Sequence, residues 1–156
     1  MSRKYKFHNP DGAYFVSFAT VNWIDVFIKD IYLNILANSI AYCRKAKGME
    51  CFAYCFMPNH VHLIFIDVNG NPSGLLRDYK KFTAKAVLKA IAGNSRETEK
   101  EKLLSIFKKA GDNNPQVSKY QFWQHNNQPI ELWSTEFIKE KVEIYSSEPC
   151  GCRACL

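Results

Sequence analysis

The sequence predicts an α+β domain of ferredoxin-like type, β-α-β-β-α-β, with a mostly antiparallel sheet and helices on one face. Three observations carry that expectation. Residues 30–47 and 75–92 repeat apolar side chains at helical spacing. Stretches dense in β-branched and aromatic residues stand before, between and after them. Two of those stretches are divided only by Pro58-Asn59, a turn signal.

Taken in order, "AYFVSFATVNW" (13–23) follows Pro10-Asp11-Gly12 and reads as the first strand. The first helix carries Ile31, Ile35, Leu36, Ile40 and Cys43 at helical spacing, ends in Arg44, Lys45 and Lys47, and is followed by Gly48. "MECFAYCFM" (49–57) and "HVHLIFIDV" (60–68) form the second and third strands. "NGNPSG" (69–74) is a loop, and the second helix places Leu76, Phe82, Val87, Leu88 and Ile91 on its apolar positions. Residues 94–119 read as a surface insertion with a short amphipathic piece near 103–110. "YQFWQ" (120–124) is expected as the fourth strand, and a last helix runs from Ser134 to about Tyr145 with capping chemistry in Ser-Thr-Glu-Phe.

The 156 residues suit one domain, and 47% apolar with 14% aromatic residues gives enough material for a core. No apolar run reaches membrane-spanning length, and the basic N-terminus lacks the apolar core of a signal peptide, so the expected location is cytoplasmic with no membrane partner. The formal charge of +6 favours a polyanionic partner such as nucleic acid.

His60 and His62 stand out. Residues i and i+2 of a strand share a face, so both imidazoles project together while Val61 turns to the core. Such a pair can share one divalent cation and leave positions open for substrate. The other helix-borne feature is basic: Arg77, Lys80, Lys81, Lys85 and Lys89 lie on the second helix, and Arg77, Lys81, Lys85 and Lys89 recur at i, i+4 as one ridge able to neutralise phosphates.

"YCFMPNHVHLIF" resembles the HUH motif of single-tyrosine transposases, with Val61 as the bulky apolar residue. "KYKFHNPDGAYFVSFATVNW", "SGLLRDYKKFTAKAV" and "KYQFWQHNNQPIELWS" resemble segments of the REP-associated tyrosine transposases, in the same order. The likeness spans roughly residues 3–143, and residues 1–143 are taken as the single-strand DNA-processing domain. It implies a homodimer that acts on single-stranded or hairpin DNA. It also implies cleavage and strand transfer, in which a tyrosine attacks a phosphodiester to give a 5′-phosphotyrosine. By that resemblance His60 and His62 hold Mg²⁺ or Mn²⁺, with Glu131, a helical turn after residue 127, as third ligand and His125 as another candidate. The nucleophile position falls on or beside Asn127, where no tyrosine stands. An amide cannot accept a phosphoryl group, so Tyr120 and Tyr79 are the candidate substitutes, and a hairpin-binding protein that no longer cuts is the alternative.

Residues 144–156 form an atypical tail holding Cys150, Cys152 and Cys155. Relatives of this type continue their last helix into a segment like "YIHQNPVDAGLV". One permitted back-translation of the tail, read one base later, gives that segment, and a frameshift near Glu143 or Ile144 is the expectation drawn from it.

Overall fold

The structure, a computed structural model, describes residues 6–117, 119–146 and 153–154, with 145, 146, 153 and 154 described by backbone alone. Its elements in chain order are β1 (Ala13–Ala19), α1 (Asp30–Ala46), β2 (Met49–Phe56), β3 (His60–Asp67), α2 (Pro72–Gly93), α3 (Lys100–Asp112), β4 (Ile130–Leu132), α4 (Thr135–Ser146) and β5 (Arg153–Ala154). The strands form one antiparallel sheet in the order β4-β1-β3-β2-β5. The crossover β1-α1-β2 therefore straddles β3, and the crossover from β3 to β4 straddles β1, which is the ferredoxin-like arrangement.

Alternation along the strands divides the core in two. Tyr14, Val16 and Phe18 of β1 join Val61, Leu63 and Phe65 of β3 in a large cluster beneath α1, α2 and α3. Ala13, Phe15, Ala53, Ile64 and Leu132 form a smaller cluster on the opposite face, covered by Phe137, Ile138 and Val142 of α4. Three helices thus share one face as expected, and α4 adds a partial cover to the other. Its start is capped as its sequence suggested: Phe137 N–H donates to Ser134 Oγ at 3.1 Å.

Several expectations need correction. The inner stripe of α1 is Tyr32, Leu36, Ser39, Ile40 and Cys43, while Ile31 is 47% exposed. On α2 the inner stripe is Leu75, Leu76, Tyr79, Thr83, Val87 and Ile91, and Phe82 faces out at 60% exposure. Residues 120–124 are not a strand. They contribute one isolated bridge, Thr20 to Trp123, and regular pairing at that edge comes ten residues later, where Ala13, Tyr14 and Phe15 meet Leu132, Glu131 and Ile130. The reason is burial: Phe122 and Trp123 sink into the helix-side core, Trp123 stacking on Phe27 at 5.5 Å and donating from Nε1 to Thr83 Oγ1 at 3.1 Å. Gly111 lets α3 approach this segment, since a Cβ there would collide with the Lys119 carbonyl. The cysteines of the tail lie outside the described residues.

The insertion is fastened by a buried carboxylate. Glu97, 8% exposed, accepts from Lys29 Nζ at 2.7 Å, Tyr32 Oη at 2.7 Å and Glu99 N–H at 3.2 Å, tying the turn between α2 and α3 to the start of α1. Burial pushes its carboxyl up, but these three bonds and the Lys29 charge outweigh it and hold the group below its ordinary value. A lowered folded pKa gives stability that is whole above the unfolded value of 4.5 and is lost as pH falls through the folded one. Glu97→Gln should cost about 2 kcal/mol in urea unfolding at neutral pH. The gap to the parent should narrow as pH drops below the ordinary carboxylate range, and equal urea midpoints at pH 7 would contradict the role.

Candidate metal centre and nucleic-acid interface

The hairpin joining β2 to β3 sets the site. Met57 N–H donates to His60 O at 2.9 Å, closing Pro58-Asn59 into a two-residue turn. The segment after β1 grips that turn from outside. Thr20 N–H donates to Asn59 O at 2.9 Å, and the Val26 and Phe27 N–H groups donate to Pro58 O at 2.9 and 2.8 Å. His60 and His62 leave the turn on the face that carries Phe15, Ser17 and Ile64, across from Ala19 and Ser17 in the β1 register.

Their Nε2 atoms stand 3.2 Å apart, with ring centroids at 4.8 Å. His60 Nδ1 meets Asn59 Oδ1 at 2.7 Å, while Asn59 Nδ2 donates to Asp25 Oδ1 at 3.0 Å and Trp23 O at 3.2 Å. Two acceptors on Nδ2 fix the amide orientation. Oδ1 must then accept from His60 Nδ1–H, which leaves the Nε2 lone pair directed at His62. His62 stacks on Phe15 at 5.4 Å. Burial, and secondarily the charge of His60, lowers the His62 pKa to about 4, so the ring is neutral near pH 7. Lys141 of α4 reaches this face, its Nζ 6.0 Å from the Phe15 ring centroid.

Two imidazoles facing each other through Nε2 have a spacing that suits one cation. Ligand atoms at about 2.1 Å from a metal and at right angles are about 3 Å apart. Among the described residues no group of three or more His, Cys, Asp or Glu side chains is placed to hold a metal. What the described residues bring together at this point is the pair of imidazole nitrogens.

The other expected participants do not converge on the pair. Glu131 is a strand residue opposite Tyr14, so it lies toward the helix side of the sheet, where Oε1 accepts from Asn9 Nδ2 at 2.8 Å. It was placed one helical turn from Asn127, and there is no helix there. Tyr79 is buried between α1 and α2, its hydroxyl donating to Leu36 O at 3.2 Å, and burial raises its pKa well above the ordinary value. Tyr120 packs beside α3, half-buried against the helix-side core. Neither phenol is near the imidazoles. His125 pairs with Asn114 Nδ2 at 2.7 Å, away from them.

Position 127 is itself informative. Asn127 O accepts from Ser17 N–H at 2.9 Å, beside the β1 residue that faces His62. Its side chain turns the other way: Asn127 Oδ1 accepts from Lys80 Nζ at 2.6 Å, and Gln124 O accepts from the same amine at 2.8 Å. Burial lowers the Lys80 pKa to about 8, and Lys80 is a half-buried internal donor rather than one of the exposed cations of α2. Arg77, Lys81, Lys85 and Lys89 remain exposed on the outside of α2. That layer lies on the opposite side of the sheet from the histidines. Sequence reasoning missed Asn59, Trp23 and Lys141. Only Asn59 carried a local signal, as the residue before the first histidine.

Two comparisons with known proteins find relatives. The family model of IS200-like transposases matches residues 14–143. The solved structure of a REP-associated tyrosine transposase bound to a REP hairpin aligns with a TM-score of 0.58 at 15% identity, covering 93% of this chain and 71% of that one. A search of curated proteins finds no match.

The Asn59 amide generates a test at the imidazoles. Asn59→Ala should weaken Mn²⁺ binding, read by calorimetric titration, by about 10- to 100-fold, because the His60 tautomer is no longer fixed. Unchanged affinity would show that the amide does not orient the ring.

Proposed function

The chain belongs to the IS200-like transposase family, and on that premise we propose that it binds single-stranded or hairpin DNA and presents a phosphate to a divalent cation held by His60 and His62. The observation that carries this reading is the 3.2 Å approach of the Nε2 atoms of two half-buried histidines on the sheet face away from α1, α2 and α3. When bound, Mg²⁺ or Mn²⁺ would supply charge to offset the phosphoryl oxygens. The chain's own residues do the rest. Asn59 keeps the His60 lone pair turned inward, and Phe15 fixes the His62 ring plane. Arg77, Lys81, Lys85 and Lys89 bind phosphates elsewhere on the DNA, giving a steep salt dependence. Because they lie across the sheet from the pair, they engage a different stretch of the nucleic acid. Assembly as a homodimer belongs to the same proposal.

The finer chemistry divides into two readings. In one, a tyrosine cuts the strand through a phosphotyrosine intermediate. In the other, the protein holds hairpin DNA without cutting. The second is favoured by Asn127 and by the placement of the tyrosines. Among the described side chains, Tyr14, Tyr54 and Tyr79 sit on the helix side, and Tyr32, Tyr42 and Tyr120 belong to the helix layer or pack on it. Tyr5 and Tyr145 lie outside the described side chains.

Labelled hairpin DNA with and without Mn²⁺ discriminates between them. The expected outcome is retarded migration in a native gel, tightened by Mn²⁺, with no adduct surviving detergent. His60→Ala with His62→Ala should erase the Mn²⁺ effect and keep most of the metal-free affinity. A detergent-stable adduct would instead support cleavage, with Tyr5→Phe and Tyr145→Phe locating the phenol. No retardation under any condition would overturn DNA binding.

A further inference from the structure

Trp23 is held in an expensive place. It and Asn22 both adopt left-handed backbone angles, φ 53° and 55°, which asparagine tolerates but a bulky side chain such as tryptophan rarely occupies. The surrounding bonds enforce this. Trp23 N–H donates to Thr20 O at 3.1 Å, Trp23 O accepts from Asn59 Nδ2 at 3.2 Å, and Thr20 Oγ1 donates to Ile24 O at 2.9 Å. The strain gains no core contact for the indole, which stays 56% exposed. What it gains is position: the ring stands edge-on to His60, centroids 5.7 Å apart. The amide that orients His60 also anchors the Trp23 backbone, so the aromatic face and the imidazole pair are fixed relative to each other.

We propose that Trp23 is the stacking platform for an unpaired base of the strand whose phosphate meets His60 and His62. This rests on the DNA reading above and adds a residue to it. A flat, rigid, half-wet indole suits any base, since every base offers a π-face, so the contact places the strand without reading its sequence. A stacked base beside His60 would limit how the adjoining phosphate can approach the two nitrogens. Trp23 is thus a positioning residue for the nucleotide next to the cation.

The test uses the full chain and a short labelled oligothymidylate. Trp123 is buried and Trp133 is 82% exposed, so Trp133→Phe leaves Trp23 as the indole that solvent reaches among the three. In that background the oligonucleotide should quench tryptophan fluorescence, and adding Trp23→Phe should remove most of the quenching. By anisotropy, Trp23→Ala should bind about tenfold more weakly, and Trp23→Phe, which keeps a ring, should stay within about threefold of the parent. Quenching that persists without Trp23, or Trp23→Ala binding like the parent, overturns the stacking role alone. Failure of the parent to bind any oligonucleotide overturns the DNA reading and this proposal together.

Discussion

The antiparallel register of β1 on β3, from Ala19 opposite His60 to Tyr14 opposite Phe65, is the constraint from which the site follows. A strand side chain has two directions available, and a slip of one residue would exchange them all. Here Val61, Leu63 and Phe65 fill the large core with Val16, Phe18 and Tyr14, so the histidines have no choice but the other face. The burial that stabilises the fold is the same force that turns the imidazoles outward together. Phe15, paired with Ile64 on that second face, then gives His62 a ring to lie against. The hairpin turn at Pro58-Asn59 completes the arrangement, because the segment after β1 binds the turn and the pair through one set of backbone and amide bonds.

The two faces of the sheet differ in what they can offer. The helix side is thick, with α1, α2 and α3 over a continuous apolar layer, and its polar groups serve the fold: Glu97 fastens the insertion, Tyr79 bridges α1 and α2, and Lys80 braces the 124–127 segment. Among the described residues the other face has one helix, α4, over a small cluster, and beside it the histidines stand half-buried. Cations occur on both sides, with the α2 ridge on one and Lys141 on the other. A nucleic acid that used both would have to pass around a sheet edge.

Helix periodicity, the two-residue hairpin and the shared face of His60 and His62 could be read directly from the sequence, since each depends on local spacing. The failures share a different cause. Tyr79 and Phe82 are both plausible inner residues of α2, and only packing against Leu36 selects Tyr79. Residues 120–124 and 130–132 are both rich in strand formers, and the depth at which Phe122 and Trp123 bury decides which one pairs regularly. Glu131 was placed by counting along a helix that does not form. The ridge of α2 was visible as a row, but not the side of the sheet on which it would lie. Trp23 and Lys141 meet the histidines through tertiary contact, which spacing along the chain does not encode.

The path of the chain at residue 127 bears on what a side chain there can reach. The backbone there lies beside Ser17, the β1 partner of His62, yet the side chain is directed under α2 toward the Lys80 amine. Exchanging the amide for an aromatic alcohol in the same rotamer would therefore insert a ring into the space now filled by a hydrogen-bonded lysine. Chemistry at this position is governed by the course of residues 125–129 as much as by their identity.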